Sequence, residues 1–181
     1  MFPELNSPRF LLQQIKPGDQ DFIYEGLSHP DVIPFYGVHY TSFDATKEQM
    51  DFYDNLLKDG TGCWWKIVNR ETGQRTGAIG FNNYLVAHNK AEIGYWLLPA
   101  FWKTGIISEV LPVVIEYLQK EKEIHRIEAM VEEGNESSCK VMRKAGFVLE
   151  GVMRDCEWKN GKYISLSIFS LLTTDKKPLK S

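Results

Sequence analysis

Two short segments hold the residues whose types and spacing can do chemistry. The first is Tyr95-Trp96-Leu97-Leu98-Pro99-Ala100-Phe101-Trp102-Lys103-Thr104-Gly105-Ile106-Ile107-Ser108-Glu109, a strand that turns directly into an amphipathic helix. The N–H groups of a helix's first turn lack intrahelical partners, and the helix dipole adds to their pull on an anion. Gly105 lets the backbone come close to a phosphate there. The same pattern also fits an ordinary strand-to-helix connection. No G-x-x-x-x-G-K-S/T and no G-x-G-x-x-G occurs, so nucleoside triphosphate and dinucleotide readings lose their usual support. The second segment is Asn135-Glu136-Ser137-Ser138-Cys139-Lys140-Val141-Met142-Arg143-Lys144-Ala145-Gly146-Phe147. Asn135 reads as a helix N-cap, Ser138 as a first-turn hydroxyl and Gly146 as the stop. Cys63, Cys139 and Cys156 are odd in number and not in metal-ligand spacing, which points to reduced thiols in a cytoplasmic protein and to no metal.

Composition narrows the class. With 21 Lys+Arg against 24 Asp+Glu, the 181-residue chain has a net charge of −3, which argues against a nucleic-acid binder working by bulk charge. No apolar run approaches the ~18 residues of a membrane span, and the N-terminus lacks the order of a signal peptide. Apolar residues at 43% and charged residues at 25% exclude disorder, collagen and coiled coil as overall descriptions. The length predicts one domain over residues 1–181.

The elements that must position the two segments follow from periodicity. Strands are predicted over Arg9–Ile15, Trp64–Asn69, Arg75–Phe81, Ala91–Leu98, Ile124–Val131, Phe147–Trp158 and Tyr163–Leu172. Helices are predicted from the Asp19 cap through Leu27, over Thr46–Leu57 with Met50, Tyr53, Leu56 and Leu57 in one stripe, over Gly105–Lys120 with a kink at Pro112, and after Asn135. Asn160-Gly161 marks the last hairpin. The order β-α-α-β-β-β-α-β-α-β-β describes an α/β (α+β layered) domain on a mixed sheet.

Together the two segments resemble the GNAT superfamily of N-acetyltransferases, in its branch of ribosomal-protein N-terminal acetyltransferases (RimJ/RimL type). The branch's "GYWL-P-x-x-W-G-K-G-x-A-T-E-A" is matched at Gly94-Tyr95-Trp96-Leu97-Leu98-Pro99 and from Trp102 through Glu109. Its "N-x-x-S-x-x-V-x-x-K-x-GF-x-x-EG-x-x-R" is matched at Asn135, Ser138, Val141, Lys144, Gly146, Phe147, Glu150, Gly151 and Arg154. Ser7-Pro8-Arg9-Phe10-Leu11-Leu12 is similar to its opening strand. There are departures. Lys103 replaces a usual glycine, and Ile107 replaces a final Gly or Ala, where a branched side chain would crowd a pyrophosphate. Ser165 stands where the branch often has Asp.

The resemblance implies a mixed, mostly antiparallel sheet flanked by helices. It implies acetyl-CoA as co-substrate, held at Leu97, Leu98, Trp102, Lys103, Thr104, Gly105, Ile106, Ile107, Asn135 and Ser138. It implies direct attack by a primary amine, most simply a protein or peptide N-terminus, without a covalent intermediate on Cys139 or Cys156. Ser138 would serve the leaving thiolate. Glu157 aligns with a glutamate proposed as base in the branch, and Trp158 and Cys156 beside it suggest a partly apolar setting. Glu92, at an exposed strand end, and Tyr95, for orientation, are the other candidates. A small amine as acceptor and an acyl-CoA-binding module without turnover are the competing readings. Phe35, Tyr36, Tyr40, Phe43 and Tyr53 either line the acceptor channel or fill core. A monomer and a homodimer fit equally.

Overall fold

The computed structural model describes residues 2–175. The strands are β1 (Leu5–Asn6), β2 (Phe10–Gln14), β3 (Cys63–Asn69), β4 (Arg75–Leu85), β5 (Lys90–Leu97), β6 (Arg126–Glu132), β7 (Val148–Lys159) and β8 (Lys162–Leu172). The helices are α1 (Gln20–Ser28), α2 (Lys47–Asp59), α3 (Ile106–Lys120) and α4 (Glu136–Lys144). All eight strands form one sheet in the order β1-β2-β3-β4-β5-β6-β8-β7, with every neighbouring pair antiparallel except β5 and β6. The two-residue β1 is too short to show a period in the sequence. Pro112 lies inside an α3 that stays one α-helix from Ile106 to Lys120.

Period-two alternation sends successive side chains to opposite faces, and each face has its own core. One face packs Trp65, Ile67, Ile79, Ala91 and Ile93 against Val110, Leu111, Val114 and Leu118 of α3 and Met142 of α4. The other packs Trp64, Ala78 and Trp96 against Phe22, Ile23 and Leu27 of α1 and Tyr53 and Leu56 of α2. In the α2 stripe, Leu57 turns outward and is exposed, while Gln49 is buried. Asn160 and Gly161 both have positive φ, the type I′ arrangement that matches the twist of a β7–β8 hairpin.

Asp19 sits at the N-cap of α1 as expected, but its side chain makes no capping bond to that helix. The carboxylate is buried and instead takes both Lys66 Nζ, at 2.8 Å, and Arg75, across the sheet. The same carboxylate also accepts the backbone N–H of Lys16 at 2.8 Å, so two cations and a backbone donor together satisfy it.

Gly26 of α1 is set by the Trp96 ring. A Cβ there would fall 2.2 Å from a ring carbon, with two more ring atoms within 2.8 Å. The overpacking exceeds the ~1 kcal/mol of helix propensity that alanine adds. Gly26→Ala is therefore expected to lose about 1–2 kcal/mol net, read as a lower urea midpoint at unchanged slope.

Candidate active site

β5 and β6 run side by side for three residue pairs, the last being Glu92 with Glu128, and then part. From Glu92 to Leu97, β5 stays with β4, and β6 stays with β8 as far as Glu132. The gap opens into a cleft of about 450 Å³ whose walls include Glu92, Tyr95, Asn135, Ser138 and Glu157. Alternation along β5 places Glu92 with Gly94 and Trp96 on the α1/α2 face, and Tyr95 with Ile93 on the α3/α4 face. One strand thus delivers a carboxylate and a phenol to opposite sides of the same slot.

On the α3/α4 side, Asn135 Oδ1 accepts the backbone N–H of Ser138 at 3.1 Å and starts α4. The cap fixes Ser138 Oγ 2.8 Å from Tyr95 Oη. Burial pushes the Tyr95 phenol up to about 12, against the pull of the Ser138 bond, so Tyr95 remains a neutral hydroxyl at physiological pH.

On the α1/α2 side, Glu92 is half-buried rather than at an exposed strand end, and Asn83 Nδ2 donates to its Oε2 at 3.0 Å. Burial raises the Glu92 carboxyl above its ordinary value. The charges of Glu128 and Glu157 add to the rise, while Asn83 and Lys90 oppose it. Glu157 lines the same cleft but is exposed, and the ring of Trp158 beside it is 65% exposed and packs edge-on to Tyr163. The partly apolar setting expected for Glu157 is therefore absent, because β7 is the outer strand of the sheet.

The turn before α3 is held from several sides. Trp102 Nε1 donates to Leu97 O at 2.9 Å, Thr104 Oγ1 to Phe101 O at 2.6 Å, and Leu98 N to Thr76 O at 2.9 Å. Arg9 reaches Thr104 O with Nη2 and Glu109 Oε2 with Nε, the latter at 2.6 Å, while Ser7 donates to Glu109 Oε1. Gly105 is the N-cap of α3 with φ +81°, and Lys103 adopts φ +61°. The glycine expected at 103 is missing, yet the left-handed backbone that glycine would favour is kept. Ile107 corrects the expectation of crowding. It and Ile106 are buried in the core, so they offer only backbone N–H groups to the turn.

The signature described as Acetyltransferase (GNAT) domain matches residues 9–148, which include both segments. The chain belongs to the GNAT acetyltransferase family. It is 32% identical over 173 residues to the uncharacterized N-acetyltransferase YoaA of Bacillus subtilis, covering 95% of this chain and 98% of that one. Among solved structures it is similar to RimL, a ribosomal L7/L12 alpha-N-protein acetyltransferase in complex with coenzyme A (TM-score 0.85, 22% identity, 94% and 98% of the two chains). It is also similar to spermidine N-acetyltransferase from Vibrio cholerae in complex with CoA and spermine (TM-score 0.82, 19% identity, 92% and 97%).

Within this GNAT fold, the cleft brings together Tyr95, Asn135, Ser138, Glu92 and Glu157, and the turn at Trp102–Ile107 lies where β5 meets α3. Tyr36 and Tyr40 line the cleft and pack on the second core, Phe35 lines the cleft, and Tyr53 is core; Phe43 is exposed and meets Tyr24 edge-on. Sequence reasoning missed Asn83 and Lys159. Lys159 Nζ bonds both Glu132 and the carbonyl of Pro34, tying the hairpin and β6 to the segment Pro34-Phe35-Tyr36. The Asn82-Asn83 pair inside an otherwise apolar run was the available signal for the first. Among the described residues, no group of three metal-ligating side chains occurs and no helix is long and apolar enough to cross a membrane.

The raised Glu92 carboxyl carries a sign for stability. Between its unfolded and folded pKa values the folded state holds the extra proton, so stability falls as pH rises through that interval. Glu92→Gln removes the cost of the buried charge. The variant is expected to melt higher than wild type at pH 7, with the difference vanishing below the ordinary glutamate range, as thermal melts at the two pH values would show.

Proposed function

We propose that the protein transfers an acetyl group from acetyl-CoA to a primary amine, the α-amine of a protein or peptide N-terminus. The observation that carries this reading is the parting of β5 and β6, with Glu92 on one side of the gap and the Tyr95–Ser138 pair on the other. The residues present fit acetyl-CoA. The α3 start offers backbone donors, and a Cβ at Gly105 would meet nothing nearer than Arg9 Nη2 at 3.8 Å, so the ground above it is open to a phosphate. Lys103 adds positive charge in the turn, while the charge of Arg9 is paired with Glu109. Bound there, acetyl-CoA supplies the activated acyl group and a thiolate leaving group.

The chain's own residues then divide the proton work. With Tyr95 Oη as donor to Ser138 Oγ, the Ser138 proton is free to point into the cleft and serve a developing thiolate. Glu92, half-buried, held by Asn83 and with its carboxyl raised by burial, takes the proton from the ammonium, and the charge of Glu157 adds to that rise. Cys139 is buried and its thiol is raised by burial, which suits packing rather than nucleophilic attack.

The mouth of the cleft presents Phe35, Val38 and Phe52, each roughly half-exposed, which suit the side chain of a terminal residue. A polyamine acceptor is the second reading, favoured by Glu48, Glu92, Glu132 and Glu157 along the walls, although Lys159 already pairs with Glu132. A screen of peptides, spermidine and amino sugars with acetyl-CoA, read by mass spectrometry, tests both. Acetylated peptide as the preferred product supports the first reading and acetylated spermidine the second. CoA binding by calorimetry with no product from any amine would leave an acyl-CoA-binding module.

Two variants separate binding from chemistry. Ser138→Ala is expected to lower kcat by about 10²-fold, the low end for proton transfer, with acetyl-CoA affinity little changed. Gly105→Val forces a β-branched residue to φ +81° and is expected to weaken CoA binding about tenfold, equivalent to the ~1–2 kcal/mol strain, read by calorimetry.

A further inference from the structure

We propose that Asn83 is a positioning residue for Glu92, held in place by a bulge in β4 so that its carboxamide aims the Glu92 carboxylate into the cleft. The proposal rests on the reading of Glu92 as the base. β4 and β5 pair Asn82 with Glu92 and then Leu85 with Lys90, so three residue steps on β4 face two on β5. The extra residue swings the chain out, and Asn83 takes φ +53°, a region where asparagine is among the few side chains tolerated. Bulges of this kind re-aim side chains beside active sites. Here Asn83 Nδ2 reaches Glu92 Oε2 at 3.0 Å, and among the described residues Oε1 keeps its lone pairs for an incoming N–H.

The charged groups around Glu92 show why a neutral donor belongs there. Lys90 lies on its own strand, Glu128 on β6 and Glu157 on β7. The Lys90 ammonium is engaged by Glu128 at 3.2 Å, and Arg126 meets the same carboxylate at 2.7 Å. Asn83 thus orients Glu92 and steadies its charged form without adding the full positive charge that would hold it deprotonated but poorly basic. A strictly structural Asn83 would serve the bulge alone and leave the behaviour of Glu92 untouched.

The test uses the full chain without ligand. Side-chain carboxyls are followed by carbon-13 NMR across pH, with the Glu92 signal assigned by its loss in Glu92→Gln. Asn83→Ala and Asn83→Gly, the latter free of backbone strain, are expected to move the Glu92 midpoint upward. Asn83→Asp, which keeps shape and tolerates positive φ but adds a negative charge, is expected to move it furthest. With acetyl-CoA and a peptide acceptor, the acidic limb of kcat/KM should move the same way, giving a several-fold loss at pH 6 that recovers above pH 8. An unchanged Glu92 midpoint in all three variants, each with a native circular dichroism spectrum, overturns the proposal. A midpoint that moves while Glu92→Gln leaves the pH–rate profile unchanged supports the contact and overturns Glu92 as the base.

Discussion

The site exists because one pair of neighbouring strands in the sheet is parallel and stays together for only three residue pairs. β5 and β6 are joined at Lys90–Arg126, Ala91–Ile127 and Glu92–Glu128, and a charge cluster marks that join. Arg126 meets Glu128 at 2.7 Å and grips Glu150 with two further bonds, while Lys90 meets Glu128 at 3.2 Å. The Arg126 guanidinium holds the Glu150 carboxyl down to about 2, with Ser170 helping. The pairing is fastened at one end only. Past it each strand is satisfied on its far side, β5 by β4 and β6 by β8, so the chain can open a gap in the sheet without orphaning whole strands.

Side chains reach that gap because the sheet is covered on both faces by different helices. Trp64 lies beneath Gly80 and Gly94, where added Cβ atoms would meet its ring at 2.4 Å and 3.1 Å. On the opposite face Ile106 and Ile107 anchor the start of α3 in the core, so the turn before it keeps its donors outward. Arg9 and Ser7 reach the same helix from the turn between β1 and β2 through Glu109. The loop is thereby braced from both ends of the chain's order, which explains how Lys103 is held at a positive φ that costs a non-glycine residue about 1 kcal/mol or more.

Local chemistry was legible in the sequence wherever a residue acts on its own neighbours. Asn135 caps α4, Gly146 ends it with φ +94°, and Asn160-Gly161 turns the last hairpin. The order of the longer strands and α-helices followed from periodicity; the two-residue β1, the continuation of β4 from Asn82 to Leu85 and the short 3-10 turns escaped it. What depends on distant partners was not legible. Asp19 has the residue type of a cap, yet Lys66 and Arg75 arrive from other strands and claim it. Ile107 looked like an obstacle to a phosphate because a sequence does not show which way a first-turn side chain points. Glu157 and Glu92 exchanged environments for a similar reason. Burial at a strand depends on whether the strand is central, as β5 is, or outermost, as β7 is.

The distribution of counter-charges separates carboxylates paired with cations from Glu92. Glu128 has Lys90 and Arg126, Glu150 has Arg126, Glu132 has Lys159, and Glu109 has Arg9. At Glu128, Glu150 and Glu109 the cation favours the ionised carboxylate and makes it a weaker base. Glu92 lines the cleft together with Glu132 and is half-buried, but its hydrogen bond comes from a neutral amide. Its carboxyl therefore stays raised by burial while its direction is fixed. Replacing that amide with a cation would give a firmer structure around Glu92 and a poorer base. The backbone strain at Asn83 is consistent with a fold that gives up local stability to keep a neutral partner at this one carboxylate.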